Sequence, residues 1–203
     1  MGEPLHSSMA KRYITRDLET HSDHIVISGS IHNELWAIER GLVKGPHFNE
    51  RRAYIRSLFA LVEGLGYQLR QELLRLKKIG QIQLTIEEEF ILSEVDYTLD
   101  RGRAKKRSKL YRTKDLFLYT TRCYARHFNT TEDVERVLNQ KGWNAFNTSL
   151  KKRDSMTHPK TSADTEVSEK DWEEARAAWA WYHQLYVALL KGSILEELPD
   201  KQK

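Results

Sequence analysis

The chain has 203 residues, of which 39% are hydrophobic and 31% are charged, and its formal net charge is +4. This length buries roughly 70% of the unfolded surface, so the fold needs no metal or disulfide for stability. Cys123 is the only cysteine and no apolar run approaches the ~18 residues of a membrane span, which predicts a soluble, intracellular protein, by default cytoplasmic, with no membrane partner.

The first half of the chain predicts a polar tail followed by three helices. Residues 1–20 are expected to be a flexible tail, and residues 22–43 a helix. Leucine, isoleucine and valine recur at steps of three and four over residues 55–78, which predicts a long helix with one buried face. Thr85 precedes three glutamates, a typical helix start, and this third helix is expected to carry apolar residues as far as Val95.

The most charged stretch runs from Asp100 to Lys114 and is expected to form a loop or a poorly packed helix end. Its excess of cations makes it a candidate RNA footprint with salt-sensitive phosphate contacts. Tyr111 and Tyr119 are placed to stack on bases. A solvated loop explains the same charges equally well. The candidate RNA-binding residues are Lys105, Lys106, Arg107, Lys109 and Arg112.

Two further helices are predicted before the chain's third proline. Residues 115–127 have helical character, and a start signal at Thr130 leads into apolar residues with a break indicated at Gly142. A residue before proline is pushed out of the α region. The second helix is therefore expected to end near His158, which precedes Pro159.

The last predicted helix begins at a capping box formed by Ser168 and Asp171, and Gly192 is expected to end it. Trp181 falls outside the apolar stripe of this helix, which suggests a role in an interface. Cys123 lies on the apolar side of its own helix and is expected to be a small buried side chain. The elements together predict an all-α bundle of five or six helices, with one domain over 21–193 and a polar tail over 194–203.

Several well-known site patterns are missing from the sequence. It contains no phosphate-binding glycine loop, no HExxH, no CxxC and no GxSxG. None of the eight histidines pairs with another histidine or a carboxylate at i, i+4 in a way that suggests metal binding. We therefore expect neither a metal site nor a cofactor.

One short segment, Arg153-Asp154-Ser155-Met156-Thr157-His158, combines an arginine, a polar neighbour and a histidine at a predicted helix end. It resembles the R-x4-6-H motif of the HEPN superfamily, and the closing helix after it also fits that family. The resemblance implies a HEPN-like bundle that is a homodimer and a metal-independent endoribonuclease, a hydrolase that cleaves RNA by 2′-hydroxyl attack. It further implies a toxin or antiphage defence effector restrained by an antitoxin or another regulatory protein.

The residue types suit that chemistry. A histidine exchanges protons near neutral pH, which makes His158 the candidate general acid–base. An arginine stays charged and offers a fork of donors, so Arg153 is the candidate ligand of the scissile phosphate. Asp154 would orient or polarise the pair.

The same spacing occurs elsewhere in the chain, at Arg16–His21 and Arg122–His127, and a spacing two residues longer occurs at Arg40–His47. Such short patterns arise by chance, and only Arg153 has the polar neighbour, the helix end and the closing helix together. Two other functions stay open. One is a non-catalytic helical module that binds RNA or protein. The other is a helical adaptor unrelated to the HEPN superfamily.

Overall fold

Helix accounts for most of residues 48–196, the part of the chain that this computed structural model describes, with side chains described for 49–191. The elements are α1 (Phe48–Lys78), α2 (Ile86–Leu92), β1 (Val95–Asp100), β2 (Arg103–Ser108), α3 (Thr113–His127), α4 (Thr131–Leu138), α5 (Gly142–Thr157), a 3-10 helix (Ser162–Thr165) and α6 (Glu169–Glu196). The predicted all-α bundle is confirmed.

These residues lie within one compact unit, His47–Lys203. The predicted tail over 1–20 and the predicted helix over 22–43 lie outside the described residues. Within residues 48–196, no helix is both long enough and apolar enough to cross a membrane.

Helix α1 buries the apolar stripe that the sequence predicts. Ile55, Leu58 and Leu73 on this stripe are completely buried. The helix ends just before Gly80, whose φ of +77° lies in the left-handed region that glycine adopts without steric cost. The prediction for this helix is confirmed.

Helix α2 begins as predicted but ends earlier. Thr85 and Glu88 form a capping box, in which the Glu88 amide donates to Thr85 Oγ1 (3.2 Å) and the Thr85 amide donates to Glu88 Oε2 (2.9 Å). The prediction that the helix continues to Val95 is wrong. Glu94 has a φ of +52° and ends the helical path, and Arg70 of α1 forms an ion pair with its carboxylate (2.9 Å). Val95 instead starts β1.

The later helices follow the predicted signals closely. The helix predicted from Thr130 is interrupted, as expected, between α4 and α5, and α5 ends at Thr157 with His158 as its C-cap. Ser168 and Asp171 form the predicted capping box, since the Ser168 amide donates to Asp171 Oδ2 (2.9 Å) and the Asp171 amide to Ser168 Oγ (3.2 Å).

Two predictions for α6 are wrong. The helix continues past Gly192 to Glu196, because a glycine within a helix costs only about 1 kcal/mol and does not force an end. Trp181 is 2% exposed rather than free for an interface, and its indole N–H donates to the Val137 carbonyl (2.8 Å). The reason is that α6 contacts α1, α3, α4 and α5, so it buries more than one stripe.

The centre of the bundle is an aromatic cluster around Phe146 of α5, which is completely buried. Its ring centroid lies 5.3 Å from Phe59, 5.2 Å from Phe117 and 5.2 Å from Trp181. Trp143 stacks on the same ring at 5.5 Å. Contacts of this kind add about 0.5–1.5 kcal/mol each beyond area burial, and here they join α1, α3, α5 and α6.

The contact between Gly142 and Trp181 leads to a stability prediction. A Cβ at Gly142 would lie 2.4 Å from Trp181 Cβ, so Gly142→Ala is expected to lower the free energy of unfolding by about 1–3 kcal/mol. The matched control is Gly64→Ala in the middle of α1, where no atom lies within 4 Å of the new Cβ apart from the adjacent residues and the nearby backbone of the helix itself. It should raise stability by about 0.5–1 kcal/mol. Urea unfolding measures both variants, and equal effects would contradict this packing.

Candidate functional site

The basic stretch that was expected to be a loop or helix end is a β-hairpin, so that prediction is wrong. The basic hairpin, residues 95–108, pairs β1 with β2 in antiparallel register. Its two-residue turn consists of Arg101 and Gly102, with φ of +49° and +76°. Positive φ at both central residues is typical of the type I′ turn that joins two twisted strands. The hairpin forms because of this turn and because β1 is rich in β-branched and aromatic residues.

Every residue of β2 is exposed, and four of its six residues are cationic. Residues directly opposite each other in a hairpin share a face. One face therefore carries the pairs Asp96–Arg107, Thr98–Lys105 and Asp100–Arg103, and the other carries Tyr97–Lys106 and Leu99–Ala104. Both faces of the basic hairpin thus present positive charge.

Acidic residues neutralise only part of that charge. Lys105 Nζ lies 3.5 Å from Asp100 Oδ2, and Lys109 Nζ lies 3.2 Å from Asp96 Oδ2. The Tyr97 amide and Lys109 hold the pKa of Asp96 below its ordinary value, and Asp96 raises the pKa of Lys109 in return. Further cations of the stretch form no ion pair with any carboxylate among the described residues; they are Arg101, Arg103, Lys106, Arg107 and Arg112.

Apolar groups accompany these cations on the surface. Leu99 is 82% exposed, and the Tyr97 ring is about half exposed while it packs against Phe90 at 5.4 Å. Tyr111 lies under Lys109, with 5.4 Å from Nζ to the ring centroid. Tyr119 is half-buried, and burial followed by the charge of Glu88 raises its pKa. Tyr97, which the sequence analysis did not single out, is exposed and so offers more of its ring for stacking than Tyr119 does.

Arg153 packs against α1 instead of pointing freely into solvent. Its Nη2 donates to Glu63 Oε1 (2.5 Å), and its guanidinium lies over the Phe59 ring at 5.5 Å. Nε lies 3.4 Å from Asp154 Oδ1, so the arginine sits between two carboxylates. The sequence could not predict that Glu63 is the partner of Arg153, because the two residues are 90 positions apart.

His158 is exposed at the end of α5, where its amide donates to the Asp154 carbonyl (3.0 Å). No hydrogen bond or ion pair joins its ring to Arg153 within residues 48–196. The structure therefore brings Arg153 and Asp154 together through an ion pair, while His158 is connected to them only through the backbone.

The other R-x4-6-H pairs are less favourable or lie outside the described residues. Arg122 forms an ion pair with Glu135 of α4 (2.6 Å), whereas His127 contacts Arg126 at the end of α3. Residues five apart on a helix point about 140° apart, so these two side chains serve different neighbours. The pairs Arg16–His21 and Arg40–His47 fall in the part of the chain that is not described.

A second group of reactive side chains, which the sequence analysis missed, joins α2 to α3. The Glu88 cluster consists of Glu88, Cys123 and His127, whose ligating atoms all lie within 4.8 Å of one another, together with Arg126. The signal in the sequence was the i, i+4 spacing of Cys123 and His127, which places both on one side of α3. Glu88, on another helix, could not be linked to them without the fold.

The electrostatics of the Glu88 cluster follow from burial and from Arg126. Burial, and then the Glu88 carboxylate, raise the pKa of Cys123 to about 11. Burial, and then the Arg126 charge, lower the pKa of His127. Burial opposes ionisation of Glu88, but the Thr85 amide and Arg126 together hold its pKa below the ordinary value. At neutral pH the cluster holds one carboxylate, one thiol and one neutral imidazole around a guanidinium.

Compared with known protein families, with curated proteins and with solved structures, the chain matches none.

Proposed function

We propose that this protein binds RNA and that the basic hairpin is its main contact surface. The observation that supports this most strongly is β2, an exposed strand with four cations and no acidic residue. Three of these cations, Arg103, Lys106 and Arg107, form no ion pair within the described part of the chain and are free to bind phosphates.

Single-stranded RNA fits this surface better than a base-paired duplex. Single strands are bound by cations that follow the backbone and by aromatic rings on which bases stack. The basic hairpin presents both, since Lys106 lies directly opposite the half-exposed Tyr97. Duplex RNA fits less well, because its major groove is too deep and narrow for side chains to read. Duplex DNA is the alternative ligand to be tested, because a β-ribbon can enter its major groove.

Titration of the full chain into fluorescently labelled 20-nucleotide probes tests this function. We expect single-stranded RNA to bind more tightly than duplex DNA of the same sequence, measured by fluorescence anisotropy. Three phosphate contacts give a slope of log K against log salt of roughly −2, at about −0.7 per contact with a single strand. Tighter binding to duplex DNA would contradict the choice of RNA, and no binding at low salt would contradict the function itself.

A metal-independent endoribonuclease of HEPN type is a second candidate, with Arg153, Asp154 and His158 as catalytic residues. It is supported by the end of α5, where the C-cap residue His158 is exposed four positions after Asp154, which forms an ion pair with Arg153. A guanidinium and an imidazole at neutral pH supply phosphate binding and proton transfer without metal.

This second function requires a homodimer and a released Arg153. One imidazole cannot serve as acid and base in the same step, so a second protomer would bring its own motif to the site. The Glu63 carboxylate, which holds Arg153 in the protomer, would give way to the RNA phosphate. A protein that covers His158 would restrain such an enzyme in the manner of an antitoxin.

A further inference from the structure

The Glu88 cluster has the ligand types of a transition-metal site. Cys123 Sγ lies 3.8 Å from Glu88 Oε1, and the imidazole of His127 completes a set whose ligating atoms are within 4.8 Å of one another. Thiolate, imidazole and carboxylate are the three side-chain ligands that proteins use for zinc. None of these contacts involves the basic hairpin or the segment from Arg153 to His158.

A cationic nitrogen already occupies the centre of this set. Arg126 Nη2 forms an ion pair with Glu88, lies 3.2 Å from His127 Nε2 and lies 3.7 Å from Cys123 Sγ. The Arg126 side chain is 56% exposed, so it can swing into solvent without disturbing the core. The guanidinium stands where a metal ion would bind all three side chains.

We propose that Glu88, Cys123 and His127 bind a divalent transition metal, with zinc favoured by the ligand types, and that Arg126 competes with the metal for the same position. Bonds of about 2.0–2.3 Å in a tetrahedral site place ligand atoms about 3.3–3.8 Å apart. The Cys123 Sγ–Glu88 Oε1 distance of 3.8 Å lies at the upper end of this range, and separations of up to 4.8 Å close with a shift of about 1 Å. Three protein ligands leave the fourth position for water.

The supporting structure orients the ligands. Glu88 Oε2 accepts the Thr85 amide of the capping box, which leaves Oε1 for the cluster. Partners of this kind hold metal ligands in place and improve their affinity. Cys123 and Glu88 are 4% and 6% exposed, so these two ligands are shielded from solvent, whereas the Arg126 side chain beside them is exposed. Bound metal would tie α2 to α3, the two helices between which the basic hairpin is inserted in the chain.

Cobalt(II) titration of the full chain in a phosphine reductant tests the site directly. Wild type is expected to develop a thiolate-to-cobalt charge-transfer band and the intense d–d bands of tetrahedral cobalt, both removed by zinc. Cys123 is the chain's only cysteine, so this band reports the Glu88 cluster even where other histidines bind cobalt. Cys123→Ser should abolish it.

The remaining ligands are tested by affinity. Glu88→Gln and His127→Gln should each weaken zinc binding at least about 100-fold, since even the loss of an outer partner costs 10–100-fold. His158→Gln is the matched control and should leave the affinity unchanged, because this exposed histidine lies outside the cluster.

Arg126→Ala should change zinc affinity in the opposite direction from the ligand variants, so it tests the site even if those variants fold poorly. Removal of a cation that fills the metal position is expected to tighten zinc binding by about 10-fold or more, because the apparent dissociation constant rises as the fraction of molecules with a free position falls. The proposal is overturned if neither wild type nor Arg126→Ala shows the charge-transfer band at millimolar cobalt. Weaker zinc binding by Arg126→Ala than by wild type would overturn it as well.

Discussion

Replacement of Arg103, Lys106 and Arg107 by alanine is expected to weaken RNA binding roughly 50-fold at 0.15 M salt. Each phosphate contact with a single strand contributes about 0.6 log unit under these conditions through counterion release, and three contacts are lost. The salt slope should fall by about 2 for the same reason. The fold should persist, because all three residues are exposed on β2 and form no ion pair within the described residues.

The matched control removes the same amount of charge from another surface. Arg122, Arg136 and Lys191 are exposed and are paired with Glu135 or Asp133. Their triple alanine variant has the same net charge as the hairpin variant, yet it should change RNA affinity less than about threefold, since only long-range, screened interactions are altered. Equal losses in the two triple variants would mean that net charge, and not the basic hairpin, determines binding.

His158→Ala is expected to reduce RNA cleavage by about 10²–10⁴-fold if the second function is correct, because the general acid–base is lost from both protomers. Arg153→Ala should cost on the order of 10²-fold, and Arg153→Lys should restore little, since an ammonium cannot reproduce the forked contact with phosphate. Gel assays of RNA cleavage with analysis for 2′,3′-cyclic phosphate ends measure these effects. Cleavage should persist in EDTA, because the proposed reaction uses no metal.

Arg153 also has structural contacts, so its role needs a second variant. Glu63→Gln removes the charge that holds the guanidinium on α1 while it keeps a side chain of similar shape. If Arg153 is catalytic, Glu63→Gln should cleave RNA at least as fast as wild type. If Arg153 is purely structural, Glu63→Gln should lower the stability of the fold with no gain in cleavage. Arg122→Ala, which changes the arginine of another R-x4-H pair, should leave cleavage near normal. Full cleavage by His158→Ala would show that the motif is not the active site.

The proposed dimer is tested by light scattering on the same samples. The ribonuclease function predicts a dimer at micromolar concentration, because the two motifs must approach each other. An active wild-type monomer would contradict a composite site. Binding through the basic hairpin requires no dimer, so a monomer that binds RNA without cleaving it would favour the first function alone.

Local signals in the sequence were sufficient for most of the helical structure. The capping boxes at Thr85 and Ser168 and the helix end before Pro159 depend on residues within three or four positions of one another, so they could be predicted directly. The apolar stripe of α1 could also be predicted, because apolar residues recur at a fixed spacing in a helix with one buried face.

The hairpin shows where such signals fail. Strands are recognised by alternating apolar and polar residues, and that alternation arises when one face is buried. Both faces of β2 are exposed, so its sequence carries no alternation and looks like a charged loop. The sequence did contain two signals of a hairpin, the apolar–polar alternation of Val95 to Asp100 and the Arg101–Gly102 turn, but one alternating segment and a turn do not identify the partner strand.

The sequence by itself determined the helical class, the helix starts and the cationic character of residues 101–114, because these depend on neighbouring residues and composition. The tertiary structure decided which functional groups meet. It placed Glu63 on Arg153 and gathered Glu88, Cys123 and His127 around Arg126, and it buried Trp181 against Val137. Such contacts join residues that are tens of positions apart, and their geometry exists only after the helices have packed.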